Sequence, residues 1–260
     1  MIDSHCHLNS KSLADNIENI ILNSKKNKVT SILSINTNPL EFLQHLKLIN
    51  RYKGIYISYG LHPCEVNNND QITMSDFDNH CKKNRVVGIG ETGLDYYHSK
   101  EFVNEQIKCF ELHIEAAIKY DLPLIIHQRD SEKDIIEILQ SYTDSNLKVV
   151  FHCFAGSKKL LEFSLRNQFY ISLSGIVTFK NADILRNLIK DYPLNLILLE
   201  TDSPFLAPVP VRGKKNEPSY IKHTAEFLSN FYKKDFDEFI NITDNNFFKL
   251  FNKTKKDNYL

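Results

Sequence analysis

Short apolar runs rich in β-branched residues recur along the chain. They are "MIDSH" (1–5), "VTSILSI" (29–35), "GIYISYG" (54–60), "VVGIGE" (86–91), "LPLIIHQ" (122–128), "KVVFHCF" (148–154), "FYISLSG" (169–175) and "LNLILLET" (194–201). Runs of this length and composition predict strands. Between them lie longer stretches whose apolar residues fall three or four apart. In "SLADNIENIILNSKK" Leu13, Ile17, Ile20 and Ile21 share a helical face; in "EFVNEQIKCFELHIEAAIKY" Phe102, Ile107, Phe110, Ile114 and Ile118 do the same. Strands that alternate with helices pair in parallel, because a parallel pair needs a long crossover. Eight such units predict an α/β fold, a (β/α)8 TIM-type barrel. An open doubly wound sheet is the alternative, although no GxGxxG loop follows any strand. After Asp202 the proline-bearing loop "SPFLAPVPVRGKKNEP" leads to an amphipathic helix near Tyr220, and "FDEFINITDNNFFKLF" reads as a helix pair sealing one side. With no linker, low-complexity tract or internal repeat, residues 1–260 read as one domain.

Composition narrows the function classes. Hydrophobic residues make up 42% and charged residues 25%, as in an ordinary globular protein rather than a disordered one. Lys plus Arg and Asp plus Glu are equal at 32 each, so bulk positive charge cannot drive nucleic-acid binding and any phosphate affinity must be local. Five cysteines, Cys6, Cys64, Cys81, Cys109 and Cys153, are odd in number and form no CxxC pair, which fits free thiols in a reducing compartment. No stretch reads as a signal peptide, and the apolar runs are far shorter than a membrane span. The expectation is a cytoplasmic enzyme without a membrane partner, a monomer in the first instance.

The polar residues at the strand ends carry the chemistry. In "DSHCHL" (3–8), strand geometry sends His5 and His7 to one face and Cys6 to the other. Alone, an HxH also reads as a polar start to the chain. Glu91, however, closes strand four, His127 strand five and His152 strand six, and Asp202 follows strand eight. In a barrel these positions converge on the C-terminal mouth, where active sites of that architecture are built. Glu91, within "VVGIGETG", is costly to bury without a cation or a strong donor. Six ligands exceed the need of one tetrahedral zinc. They suit two divalent ions (Mg, Mn or Zn) about 3.5–4 Å apart, with Glu91 as the bridge. Asp202 would bind an ion and accept the proton of an attacking water, which makes Glu91 and Asp202 the catalytic pair and hydrolysis the reaction. Strand alternation turns Cys6 and Cys153 away from the mouth and into the core.

Taken together, "DSHCHL", "GLHP" (60–63), "GETGLDYY", "PLIIHQRD", "FHCFAG", "SLSGIVTFKNA", "ETDSPFLAP" and "RGKKNEP" resemble, in order and nearly end to end, the TatD-type metal-dependent deoxyribonucleases within the amidohydrolase-like barrels. The resemblance implies a TIM-type barrel, a divalent-metal centre and hydrolysis of DNA phosphodiesters, with RNA as a further substrate class, often from a 3′ end. It carries the metal-ligand roles to His5, His7, Glu91, His127, His152 and Asp202. It also turns His62 toward the substrate phosphate, against a plain role as a turn cap before Pro63. Arg129 reads as a phosphate contact or as a partner of Asp130, and Arg212 has the same two readings. Glu217 caps the next helix or orients a ligand histidine, and Tyr96 and Tyr97 stack a terminal base or pack in the core. The chain departs from the usual pattern at Asn9, where aspartate is common, and at His98, where arginine is frequent. Two rivals stand beside this reading. One is an amidohydrolase acting on an amide or ester, although many such enzymes bridge their metals with a modified lysine where this chain has Glu91. The other is a non-catalytic metal-binding protein, although structural zinc is normally closed by four ligands, often cysteines.

Overall fold

The eight apolar runs form eight strands in the computed structural model, which describes residues 1–69, 72–256 and 259–260. They are β1 (Ile2–Cys6), β2 (Ser31–Ser34), β3 (Ile55–Tyr59), β4 (Val86–Asp95), β5 (Leu124–Arg129), β6 (Val149–Phe151), β7 (Tyr170–Leu173) and β8 (Ile197–Leu199). Each pairs in parallel with the next, in the order β1 to β8. The two edges then meet. Cys6 bridges Ser203, the Asp202 N–H donates to His5 O at 2.9 Å, and the His7 N–H donates to Ser203 O at 2.8 Å. The nearly closed barrel thus replaces the open-sheet alternative.

Below that bridge the seam is held by side chains. Ser4 Oγ donates to Leu199 O at 2.8 Å, and Asp3 Oδ1 accepts the Thr201 N–H at 2.9 Å. Asp3 Oδ2 lies 2.6 Å from Thr201 Oγ1. Asp3 is fully buried, and burial pushes its carboxyl up to about 8 against the opposing hydrogen bonds from Thr201 and His5. An unfolded aspartate titrates near 3.9, so between the two values the folded protein holds one proton more. The stabilisation this gives is complete below the ordinary carboxylate range and is lost as pH rises through about 8. In the metal-stripped protein we expect stability to fall by about 1.4 kcal/mol per pH unit across that interval. Asp3→Asn, whose amide donates to Thr201 Oγ1, should flatten the dependence. Denaturation midpoints measured from about pH 6 to pH 9 decide it, and equal slopes in the two proteins would discard the buried proton.

The helices are α1 (Lys11–Ala14), α2 (Ile17–Lys26), α3 (Phe42–Ile49), α4 (Met74–His80), α5 (Val103–Tyr120), α6 (Glu132–Gln140), α7 (Lys158–Arg166), α8 (Asp183–Ile189), α9 (Ile221–Phe231) and α10 (Phe236–Leu250). The first predicted helix is broken between Ala14 and Ile17, yet Leu13, Ile17, Ile20 and Ile21 are all buried. On α5 the buried face is rotated from the predicted one. Phe110 and Ile114 are buried with Gln106, His113, Ala116 and Ala117, whereas Ile118 is exposed. The rotation has polar causes: Gln106 Oε1 accepts the Asp95 N–H at 2.9 Å, and His113 Nε2 accepts the Leu61 N–H at 3.0 Å.

The C-terminal stretch is one helix, not a pair. Asp235 caps α10 through the N–H groups of Asp237 and Glu238, and Asn246 Nδ2 donates to Leu194 O and Ile197 O. Asn246, within the stretch read as a pair, thus fastens the single helix α10 to the backbone at the start of β8. Among the described residues no helix is long and apolar enough to cross a membrane.

Candidate metal centre

The barrel mouth gathers the six predicted ligands, though not all from strand ends. His5 lies within β1 and is buried, while His7 follows the strand. Strand β4 does not stop at Glu91 but runs to Asp95, with its register against β5 shifting between Ile89 and Thr92. Such an irregularity re-aims a side chain, here Glu91. Gly90 (φ +130°) and Gly93 (φ +133°) bracket it in backbone conformations that favour glycine. A Cβ at Gly93 would lie 2.0 Å from His127 O, so the close approach of β4 to β5 requires the glycine. Because β5 continues to Arg129 alongside Asp95, His127 lies inside its strand. His152 sits one residue past β6, with its N–H donating to Ile126 O at 3.1 Å. Asp202 follows β8 in the left-handed region, φ 54°.

All of these converge on Glu91. Its Oε1 lies 2.8 Å from His152 Nε2, 3.2 Å from His127 Nδ1 and 3.3 Å from His62 Nε2. Its Oε2 lies 3.3 Å from His5 Nε2 and 3.9 Å from His7 Nε2. Asp202 Oδ1 completes the second side, 3.2 Å from His7 Nε2 and 3.8 Å from His5 Nε2. The carboxylate thus turns one oxygen to each of two donor groups.

Hydrogen bonds at the far side of two of the rings, His127 and His62, set their tautomers. His127 Nε2 lies 2.9 Å from Asp95 Oδ2, which in the neutral ring places the proton there and turns the Nδ1 lone pair toward the centre. His62 Nδ1 accepts the Cys64 N–H at 3.1 Å, so in the neutral ring Nε2 carries the proton. The His62 ring therefore faces the centre as a donor, although its atoms lie close enough to Glu91 and His127 to group with them as ligands.

Charges within the cluster are strongly coupled. Burial opposes ionisation of Glu91, but His152, His62 and His5 hold its carboxyl well below the ordinary range. Burial likewise opposes charge on His152, and Glu91 with Glu200 overcomes it, raising that imidazole well above its usual value. For His5 burial and the neighbouring His152 prevail and lower it. Asp202 is lowered because His7 outweighs the cost of burial.

The donor set fits divalent cations. Both ring nitrogens of His5, Nδ1 of His152, Oε2 of Glu91 and Oε1 of Glu200 are buried with no hydrogen-bond partner among the described residues. Buried polar atoms left unpaired in one place call for a compensating group, and cations match imidazole lone pairs and carboxylates together.

Two acidic residues here went unread in the sequence. Asp95 orients His127, and its signal is a carboxylate at the end of β4 once that strand is extended. Glu200 is fully buried, with Oε2 accepting from Ser172 Oγ at 2.5 Å and Oε1 3.8 Å from His152 Nδ1. Its signal is a carboxylate closing the run "LILLE".

The remaining candidates lie farther out. The Arg129 guanidinium sits 4.9 Å over the exposed Tyr97 ring and forms no ion pair with Asp130 among the described residues. Arg212 lies 4.1 Å over the Phe179 ring. Tyr96 donates to Asp134 Oδ2 at 2.7 Å and packs against the core. Glu217 accepts from Asn23 and Ser219; among the described residues its side chain bonds no ligand histidine and does not cap the turn Pro218–Tyr220, so it takes neither of its two expected roles. Asn9 Nδ2 donates to Glu41 Oε2 at 3.2 Å, where an aspartate would face a like charge. His98 binds Asp95 Oδ2 through Nδ1 at 2.9 Å.

Cys6 is fully buried with its thiol toward Leu33 O, as strand alternation requires. Cys153 differs: β6 ends at Phe151, alternation lapses, and the thiol of this partly buried residue lies 3.2 Å from Ser174 Oγ. We expect Cys6→Ala to cost on the order of 1 kcal/mol of stability with metal content unchanged. Thermal melts and elemental analysis test this together. Metal lost at unchanged stability would make that thiol a ligand.

Comparison with known proteins agrees with this picture. The TatD related DNase family model matches residues 2–252. An uncharacterised metal-dependent hydrolase of Buchnera aphidicola (subsp. Acyrthosiphon pisum) is 41% identical over 97% of this chain and 99% of its own. The uncharacterised metal-dependent hydrolase YcfH of Escherichia coli K12 is 35% identical over 96% of this chain and 95% of its own. Among solved structures, YjjV, a TatD homologue of Escherichia coli K12, superposes with a TM-score of 0.87 at 26% identity, covering 97% of this chain and 98% of that one.

Proposed function

The chain belongs to the TatD related DNase family of metal-dependent hydrolases, and we propose that within it this protein cleaves DNA phosphodiesters, trimming single-stranded or frayed ends with a pair of divalent ions at the barrel mouth. The observation that carries the reading is Glu91, one carboxylate with an oxygen turned to each of two donor groups. His5, His7 and Asp202 would hold one ion, His127 Nδ1 and His152 Nε2 the other, and Glu91 both. When bound, such ions supply Lewis-acid activation of water and neutralise charge on the phosphodiester oxygens.

The chain's own groups supply the rest. The Asp202 side chain is 13% exposed against 3% for Glu91, so Asp202 is the carboxylate that water reaches and the natural proton acceptor. His62, with its proton on Nε2, is placed to donate to a phosphate oxygen. Asp95 holds His127 in orientation, and Glu200 sets a negative charge beside His152.

A groove of about 440 Å³ beside the mouth, with one more cation than carboxylates in its lining, offers room for a phosphate-bearing strand. Its lining carries Arg129, Lys133 and Lys159, none in an ion pair among the described residues, against the carboxylates Asp130 and Glu132, the latter bonded to Ser157, and its size lies within the roughly 300–1,000 Å³ of ligand clefts. Exposed Tyr97, with Arg129 over it, offers a stacking face for a base. Three cations reach few phosphates, so the dependence of log affinity on log salt should be shallow, about −2 for a single strand.

End-labelled single-stranded DNA, duplex DNA, closed circles and RNA, given to metal-stripped protein with Mg²⁺, Mn²⁺ or Zn²⁺ restored, test the proposal. A product ladder growing from one end, with circles cut poorly, is expected. Rapid internal cutting of circles would sink end trimming. Turnover of amides or esters without phosphodiester cleavage would transfer the site to the rival hydrolase.

A further inference from the structure

A second cluster of ligand-type side chains lies on the rim, outside the centre built on Glu91. Asp95 Oδ2 is approached by His98 Nδ1 at 2.9 Å and by Cys64 Sγ at 3.5 Å, and the three donor atoms lie within 4.8 Å of one another. We propose that Cys64, Asp95 and His98 form a separate site for a thiophilic divalent ion of the zinc class.

The chemistry and the geometry agree. Thiolate, imidazole and carboxylate are all zinc ligands, and soft thiolate selects against Mg²⁺ and Ca²⁺. With usual zinc bond lengths, the ligand–ligand edges of a tetrahedron come to about 3.3–3.7 Å. The Sγ–Oδ2 separation already matches, and the Nδ1–Oδ2 separation needs to open by a few tenths of an ångström.

The three residues are held from different directions. Asp95 is buried, and its Oδ1 accepts the N–H groups of Tyr97 and His98, at 2.9 and 2.7 Å, which fixes Oδ2 toward the rim. Cys64 is held in the short 3-10 turn Pro63–Glu65, where its N–H bonds His62 Nδ1. Cys64 and His98 are both exposed, so an ion arrives from solvent without opening the barrel.

Without an ion the thiol is a neutral neighbour of the carboxylate, since partial desolvation of the sulfur, turned inward from an otherwise exposed residue, and then Asp95 push it up to about 12. A divalent charge at the same point reverses that balance, and the thiol proton leaves to solvent as the sulfur–metal bond forms. Three protein ligands leave at least one position to water, so the ion is exchangeable rather than structural.

Asp95 Oδ2 also faces His127, so an Asp95 variant would disturb both sites. Cys64→Ser separates them, because the Glu91 centre contains no thiol. The test titrates Co²⁺, then Zn²⁺, into the chelator-stripped full chain. A thiolate-to-cobalt charge-transfer band in the near ultraviolet is expected for wild type and not for Cys64→Ser, which should also retain one zinc fewer per chain. His98→Gln should raise the cobalt concentration needed for the band by about tenfold or more, at least the loss expected from an outer-shell partner. No band in saturated wild type, or a band of full strength in Cys64→Ser, overturns the site.

Discussion

Glu91→Gln should reduce hydrolysis by about two orders of magnitude or more and lower the metal content of the purified protein. The amide keeps the shape of the carboxylate but removes the negative charge between five imidazole nitrogens. Two cations placed on either side would then repel each other without an anion between them. In the ion-free protein the same change removes the leading influence that raises His152, so that imidazole should titrate at lower pH. Elemental analysis, turnover and the His152 titration followed by nuclear magnetic resonance give three separate readings. Full activity with unchanged metal content would falsify the two-ion scheme.

Asp202→Asn should slow hydrolysis by about 10²–10⁴-fold while metal content falls less. An amide oxygen still reaches a cation but is a poor proton acceptor. The substitution is also mild for the backbone, because Asp202 sits at φ 54° and asparagine is among the residues most tolerant of that region. Its N–H continues to close the barrel on His5 O. A rate near wild type at equal metal content would remove Asp202 from proton transfer. Equal losses of metal and rate would leave it a ligand only.

Much of the barrel was legible because each strand is an unbroken apolar run and each helix carries a stripe. The positions of His5, His7, His152 and Asp202 followed from where those runs end. What escaped depended on events that periodicity does not encode. The register shift in β4 carries the strand four residues past Glu91, so Asp95 looked like loop and its hold on His127 was invisible. Glu200 was masked by the run it closes, and only packing shows that its carboxylate faces Ser172 and His152. Cys153 was misread because alternation was extended past the last paired residue of β6. The tautomer of His62 rests on a single backbone bond from Cys64, a contact two residues away that no residue pattern announces.

The seam between β1 and the segment after β8 also sets an order of biosynthesis. His7 and Asp202, whose side chains meet at 3.2 Å, are 195 residues apart in the chain. At ribosomal rates of 5–20 residues per second, His5 and His7 are made about 10–40 s before Asp202. Throughout that interval the nascent chain displays His-Cys-His, two imidazoles around a thiol, with no barrel to seclude them. The donor group of His5, His7 and Asp202 is therefore complete only once the chain has been made past β8.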